Sequence, residues 1–277
     1  MGNAVENLDS LQPGTVAILG VPLDENSSFM RGPALAPLRI REVLHSGSMN
    51  LCAESGVDLG TEPRLTDLGD LALDESTRAF KQIESAISSL VERHTRVLSL
   101  GGDHSVTYPI VRAYASSYPR LSILHFDAHP DLYQDYEGNR YSNACPFARI
   151  MEENLAARLV QVGIRTMNPH QQVQAERFGV EVIDMQSWQS GIRPALEGPI
   201  YLSLDMDALD PAFAPGVSHH EPGGLSTREV IQLVQGLPAP IVGADIVEFN
   251  PKRDPVGITA MAAAKFLKEI TACMLQE

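Results

Sequence analysis

The segment Leu121-Ser122-Ile123-Leu124-His125-Phe126-Asp127-Ala128-His129-Pro130-Asp131 decides the fold of this chain. Its first six residues form a mostly apolar run without alternation, which is typical of strands buried on both faces of a parallel sheet. The next five are rich in Asp and His, and open α/β sheets bind ligands at the carboxyl ends of their strands. We therefore predict a parallel sheet whose carboxyl edge carries a polar site.

Further apolar runs and stretches of helical spacing lie on both sides of this segment. The other predicted strands are Thr15–Val21, Arg64–Leu68, Arg96–Leu100, Leu159–Ile164, Val180–Asp184, Pro199–Leu204 and Ile241–Ile246. The predicted helices are Pro37–His45, Thr77–His94, Val106–Ser116, Ser226–Leu237 and Ile258–Leu275. This alternation predicts a single α/β domain over residues 1–277, a three-layer α/β/α sandwich with a mainly parallel eight-stranded sheet. A (β/α)8 barrel has the same periodicity and stays open as the alternative.

The charge composition argues against two classes of binding partner. The chain has 277 residues, with 35 acidic and 21 basic side chains and a formal net charge of −14. Such an excess of negative charge repels nucleic acids and anionic membranes, so neither is expected as a partner. A cationic ligand or a metal ion fits this charge better.

The cysteines and the N-terminus predict where the protein works. Cys52, Cys145 and Cys273 are an odd number at wide spacings, which suits neither a disulfide framework nor a thiolate zinc site. Residues 1–10 have no basic or apolar region of the kind found in signal peptides. We therefore expect a cytoplasmic protein.

Three polar clusters follow three predicted strands and should share one edge of the sheet. They are Gly101-Gly102-Asp103-His104, Asp127–Asp131 and Asp205-Met206-Asp207. Each alone is more often a turn or a helix cap. The alternation within the last two places their polar side chains on one side of an extended backbone. Together they offer six ligands, namely His104, Asp127, His129, Asp131, Asp205 and Asp207.

This set of donors indicates the metal. Two imidazoles and four carboxylates are too rich in oxygen for structural zinc, and they suit two hard or borderline divalent ions, with Mn²⁺ the best match. Two such ions lower the pKa of bound water and so supply a nucleophile. Glu248 follows another predicted strand at the same edge and is not needed to balance the metal charge. It is suited to pair with a planar guanidinium, although a helix-capping role is the alternative.

These residues resemble the ureohydrolases, the arginase and agmatinase family. The motifs are Gly101–Ser105, Asp127–Asp131, Ser203–Pro211 and Gly243–Pro251, and segments near residues 26–42 and 211–226 look most like plant-type arginases. The resemblance implies a three-layer domain, two Mn²⁺ ions per chain, and a homotrimer or homohexamer. It implies that His104, Asp127, Asp131 and Asp205 hold one ion and that Asp127, His129, Asp205 and Asp207 hold the other. Asp131 and Glu248 would also serve catalysis, with Glu248 binding the guanidinium group.

One position departs from the family pattern. The family has a histidine, credited with moving a proton to the leaving amine, where this chain has Asn143. An amide does not titrate near neutral pH, so we hypothesise that His220 supplies the relay, with Cys145 as a second candidate. Asn139 and Ser142, in the loop after Asp131, are predicted substrate contacts.

The sequence therefore predicts hydrolysis of a guanidino substrate to urea and an amine, with L-arginine first. Agmatine, guanidinobutyrate and formiminoglutamate suit the same chemistry, because the sequence does not locate the contacts that read the far end of the substrate. Two rivals stay open. One is a non-catalytic homologue, suggested by Asn143, and the other is a two-metal phosphoesterase, which would need a cationic clamp for phosphate.

Overall fold

A computed structural model describes residues 11–74 and 77–276, and its centre is one parallel sheet of eight strands in the order β2-β1-β3-β8-β7-β4-β5-β6. The strands are β1 Val16–Val21, β2 Leu65–Asp70, β3 Arg96–Gly101, β4 Ser122–Phe126, β5 Arg158–Ile164, β6 Glu181–Asp184, β7 Ile200–Asp205 and β8 Ile241–Val247. All eight predicted strands are confirmed. The sheet has two edge strands, β2 and β6, so the fold is an open sheet and the barrel alternative is wrong.

Helices cover both faces of this sheet. The described residues form α1 Ala36–Leu44, α2 Thr77–Val91, α3 Thr107–Ala115, α4 Pro146–Glu152, α5 Pro169–Phe178, α6 Met185–Gln189, α7 Thr227–Gln235 and α8 Ile258–Leu275. Helices α1, α6, α7 and α8 pack on one face, and α2 to α5 pack on the other. A hydrophobic core lies on each face of the sheet, and β3 contributes to both. Leu98 and Leu100 point into one core, and Val97 points into the other. The predicted three-layer sandwich is confirmed.

Five helices agree with the sequence prediction, and three were missed. Helix α7 begins with a capping box in which Ser226 N–H donates to Glu229 Oε2 at 2.8 Å and Glu229 N–H donates to Ser226 Oγ at 3.2 Å. The missed helices α4, α5 and α6 have 7, 10 and 5 residues. Helices α4 and α6 have too few turns for a clear apolar stripe, and α5 is mostly polar, with Val173, Ala175 and Phe178 as its apolar side chains after Pro169.

The strand order positions the functional site. Strands β3, β8, β7 and β4 are consecutive neighbours in the middle of the sheet. Every polar cluster singled out in the sequence follows one of these four strands, so their side chains meet above the centre of the carboxyl edge. The prediction made for residues 1–10 lies outside the described part. Within the described ranges, no helix is long and apolar enough to cross a membrane.

Candidate metal centre and active site

His104 lies where three carboxylates converge. Its Nδ1 is 3.2 Å from Asp127 Oδ2, 3.0 Å from Asp131 Oδ2 and 3.2 Å from Asp205 Oδ2. The imidazole is fully buried, and Nδ1 makes no hydrogen bond of acceptable geometry to any of these oxygens. A buried nitrogen left without a hydrogen bond among carboxylate oxygens is arranged as a metal ligand would be.

His129 forms a second half of the site, and Asp127 joins the two halves. His129 Nδ1 is 3.3 Å from Asp127 Oδ1 and 3.1 Å from Asp207 Oδ2. Asp127 therefore presents Oδ2 to His104 and Oδ1 to His129. The structure brings together all six side chains that the sequence singled out as ligands.

The geometry and the electrostatics both fit bound cations. Neighbouring ligands of an octahedral ion held at about 2.1 Å are about 3 Å apart, as these nitrogen and oxygen atoms are. Burial and the charge of Asp127 raise the pKa of Asp131 to about 7. Burial and the charges of Asp207 and Asp127 raise the pKa of Asp205 well above its usual range. Carboxylates that disfavour each other's ionisation in this way would be stabilised by a divalent cation.

A buried chain of hydrogen bonds orients His104 from behind. His104 Nε2 is 3.0 Å from Ser203 Oγ, and Ser203 Oγ in turn donates to Asp245 Oδ1 at 2.7 Å. Asp245 Oδ2 also accepts hydrogen bonds from Thr107 and Tyr201. Because the Ser203 hydroxyl proton goes to Asp245, Ser203 accepts from His104 Nε2–H. This leaves the lone pair of Nδ1 facing the carboxylates.

His125 belongs to the site, although the sequence analysis did not single it out. Its Nε2 is 2.8 Å from Asp127 Oδ2, and its Nδ1 is 3.0 Å from Gln161 Nε2. The same Gln161 nitrogen donates to the Pro130 carbonyl, so it must be the amide N–H₂ group. His125 Nδ1 therefore accepts and Nε2–H donates to Asp127, which agrees with burial lowering the pKa of His125 to about 4. Residues 125 and 127 alternate along β4, and that spacing was the missed signal.

Among residues 11–74 and 77–276, two close groups of side chains could hold a metal ion: His104, His125 and Asp127 form one, and Asp127, His129 and Asp207 form the other. Both nitrogens of His125 have hydrogen-bond partners, whereas His104 Nδ1 has none among the described residues. His125 therefore orients Asp127 and is not placed to bind an ion itself.

The backbone is strained at two site residues. Asp131 and Glu248 have φ values of +51° and +61°, in the left-handed region that side chains rarely adopt. Gly102 lets the chain before His104 approach Leu23, because a Cβ there would lie 1.7 Å from the Leu23 carbonyl oxygen. Gly102 O also accepts the Glu248 N–H at 2.9 Å. The turns after β3 and β8 are therefore held against each other.

Glu248 is buried and lies beside the cluster of His and Asp side chains. Its Oε1 accepts hydrogen bonds from His104 N–H and from Asn143 Nδ2, both at 2.9 Å. Burial and the charge of Asp103 raise the pKa of Glu248 to about 8, although these two hydrogen bonds act in the opposite direction. A cationic group at this carboxylate would favour its ionised form.

A cavity of about 290 Å³ opens above these groups. Asn143, Glu248 and His129 line it together with the carboxylates of Asp131, Asp205 and Asp207. Other parts of the wall come from His219, Tyr133, Tyr136 and Glu221. The His219 ring lies 5.6 Å from the His129 ring, centroid to centroid. The sequence analysis did not single out His219, although this residue lies within the segment 211–226 that looks most like plant-type arginases.

Several predicted contacts lie elsewhere. His220 is exposed, and its Nε2 is 2.6 Å from the Pro215 carbonyl oxygen, so it does not face the cavity. Asn139 is exposed and faces a different pocket, whereas Ser142 is buried behind Asn143. Buried Cys145 has its Sγ 3.7 Å from the Asn139 carbonyl oxygen and also lies outside the cavity lining. The structure thus corrects the placement of all four residues.

Comparisons with known proteins agree with this site. The model of the arginase family matches residues 14–273. The chain is 47% identical to Arginase 1, mitochondrial, of Arabidopsis thaliana over 98% of its length and 84% of that protein. It is 33% identical to an agmatinase of Bacillus anthracis over 96% of its length and 94% of that protein.

Solved structures extend the match to three dimensions. An arginase from Medicago truncatula superposes with a TM-score of 0.89 at 45% identity, covering 94% of this chain and 87% of that one. A T. brucei arginase-like protein triple mutant bound with Mn²⁺ superposes with a TM-score of 0.78 at 25% identity. The match covers 99% of this chain and 98% of that one. These matches confirm the resemblance found in the sequence, and the chain belongs to the arginase family.

Proposed function

We propose that this protein is an arginase, a hydrolase that converts L-arginine to urea and L-ornithine. The observation that carries the proposal is the convergence of the six predicted ligands beside Glu248. His129, Asp131, Asp205, Asp207 and Glu248 line one cavity, and the buried His104 and Asp127 contact these ligands from behind. The 47% identity to a plant protein named as an arginase favours arginine over the substrates of more distant relatives.

Two Mn²⁺ ions would be held by the two halves of the cluster. His104, Asp127, Asp131 and Asp205 would bind one ion, and His129 and Asp207 would join Asp127 and Asp205 around the other. When bound, such ions activate water as a nucleophile and stabilise the negative charge that develops during hydrolysis. The protein itself supplies the fixed orientation of the ligands, through Ser203 behind His104 and His125 behind Asp127.

Glu248 would hold the guanidinium group of the substrate. Both of its described hydrogen bonds reach Oε1, and within the described residues none reaches Oε2. Oε2 is therefore the oxygen left to accept an N–H of the substrate. A buried carboxylate binds such a cation strongly and fixes its plane, which places the carbon to be attacked beside the cluster.

Agmatine is the second candidate substrate, because of the charges around the cavity. Among the described residues that line it, none is Lys or Arg, so the carboxylate of arginine would rely on neutral donors such as Ser28 and Thr166. Glu221 lies in the same wall and suits an ammonium group, which both arginine and agmatine carry. The lack of a cationic clamp also disfavours the phosphoesterase alternative.

Parallel assays of the purified, Mn²⁺-loaded protein test the substrate. Urea release from L-arginine, agmatine and guanidinobutyrate, and formamide release from formiminoglutamate, are measured under the same conditions. We expect the highest kcat/KM with L-arginine. A higher kcat/KM with another compound would identify that compound, and not L-arginine, as the substrate. No turnover of any compound by protein that holds two metal ions would support the non-catalytic homologue.

The assembly and the compartment stay predictions. We propose a homotrimer or homohexamer, and a monomer in sedimentation analysis would contradict this. The sequence predicts a cytoplasmic protein, but the plant relatives are named mitochondrial, so a mitochondrial location is the competing proposal. Fluorescence imaging of the full chain in its own cells distinguishes the two.

A further inference from the structure

Asn143 occupies the position at which the family resemblance expects a proton-carrying histidine, and its side chain is firmly held. Its Oδ1 accepts hydrogen bonds from Ser28 N–H at 2.9 Å and from Ser142 Oγ at 3.2 Å. A backbone N–H can only donate, so the atom facing Ser28 is the oxygen. The other end of the amide is therefore the N–H₂ group, which donates to Glu248 Oε1 at 2.9 Å.

The surroundings of Asn143 are built to keep it in place. Asn143 N–H donates to the Asn26 carbonyl at 3.0 Å, so the loop of residues 26–28 contacts both the backbone and the side chain of Asn143. Asp103 fixes that loop from below, since its Oδ2 accepts from Asn26 N–H at 3.0 Å and from Ser27 Oγ at 3.2 Å. Asn143 itself is buried.

The Asn143 amide donates to Glu248, a buried residue with a strained backbone. The backbone of Glu248 is in the left-handed region at φ +61°, and its carboxylate is buried. Two neutral donors, His104 N–H and Asn143 Nδ2, hold Oε1 from two directions. This arrangement turns the carboxylate so that Oε2 is the oxygen without a described partner.

We propose that Asn143 is a positioning residue that orients Glu248 for guanidinium binding and carries no proton. The proposal rests on the proposed function, because it takes Glu248 as the group that binds the substrate. An amide donates the same hydrogen bond at any pH, whereas an imidazole changes its donors and acceptors when it titrates. In this chain the position is therefore specialised for binding.

The test removes the hydrogen-bond donor at residue 143 and then restores a donor at the same position. Asn143→Ala deletes the hydrogen bond to Glu248, and Asn143→His brings back an N–H that can reach the same oxygen. The control is Gln172→Ala, which removes an exposed amide that donates to Glu176. Melting temperatures and bound metal are measured for every variant, so that only folded and loaded proteins are compared.

Two readouts separate positioning from proton transfer. The first is KM and kcat for L-arginine with Mn²⁺-loaded protein. The second is the Kd of L-arginine for the metal-free protein by calorimetry, which needs no turnover. We expect Asn143→Ala to raise both KM and Kd about tenfold or more, the effect of one hydrogen bond to a charged group. The fall in kcat should be smaller than the rise in KM, and Asn143→His should return KM to within about threefold of the wild type.

The outcomes also separate this proposal from the proposed function. If the wild type releases no urea from arginine, the proposed function fails, but the calorimetric Kd still tests the contact. If the Kd and the KM of Asn143→Ala both stay within about twofold of the wild-type values, the positioning role is overturned. A loss confined to kcat would also overturn it, since that is the pattern of a proton carrier. Should Asn143→Ala not fold, a tenfold rise of KM and Kd in folded Asn143→His would overturn it instead.

Discussion

His219 and His220 are neighbours in the chain but lie in different surroundings. His219 is partly buried in the wall of the cavity, with its ring 5.6 Å from the rings of both His129 and Phe29. His220 is exposed and bonded to a backbone carbonyl. The sequence led to His220 as the hypothesised relay, but the direction of each side chain is set by a loop that no periodic pattern describes.

Substitution of these two histidines should have opposite consequences. His219→Ala removes a ring that packs beside His129 and opens the cavity to water, so we expect kcat/KM for L-arginine to fall about tenfold or more. His220→Ala removes an exposed side chain outside the cavity, so we expect kcat/KM to stay within about twofold. Steady-state kinetics at equal metal content measure both. The hypothesis of a relay through His220 would regain support if only His220→Ala reduced turnover.

The loops after β5 and β7 show how elements hold the site together. Arg165 follows β5, and its guanidinium donates to several backbone carbonyls on three segments of the chain. The acceptors are the carbonyls of Gly163, Asp207, Ala208, Leu209 and Glu221, at 2.7 to 3.3 Å. One side chain thus ties the expected ligand Asp207 to the loop that carries Glu221 and to the end of β5.

Replacing Arg165 by lysine should therefore weaken the site although the charge is kept. Lysine is a point charge and cannot reproduce the planar set of donors. We expect Arg165→Lys to lower the free energy of unfolding by about 2–3 kcal/mol, since carbonyls lose charged hydrogen bonds. Denaturant titration measures this. Arg158→Lys, at a pair with Glu181 near the surface, is the control and should cost less than about 1 kcal/mol. Equal losses in both variants would contradict the structural role given to Arg165.

At the level of elements, the sequence predicted the strands well and the loops poorly. Alternation correctly predicted that Asp127, His129 and Asp131 lie close together, although its reason was incomplete, because β4 ends at Phe126 and Asp131 has a left-handed backbone at φ +51°. It did not place Asn139, because residues 132–145 follow a path set by distant contacts. Buried Arg149 on α4 donates to the carbonyls of Gln134 at 2.6 Å and Arg140 at 3.3 Å, and such contacts leave no local pattern.

At the level of the whole molecule, the class of fold followed from buried strands alternating with helices, but the strand order did not. Apolar runs show that a strand is buried and do not show which strands are its neighbours. The order β3-β8-β7-β4 at the centre is what brings His104, Glu248, Asp205 and Asp127 together. The position of the polar clusters directly after predicted parallel strands indicated that they share one edge of the sheet, whereas periodicity alone left a barrel open.

In the proposed reaction, two Mn²⁺ ions act with Glu248 on a guanidino substrate, and a titration of metal against activity tests this most directly. Metal-free protein receives Mn²⁺ in steps, and urea release from L-arginine is measured at each step with bound metal. We expect no urea without metal and a rate that reaches its plateau at about two ions per chain, as the six ligands imply. Urea release that persists without metal, or a plateau at one ion, would contradict the two-metal account.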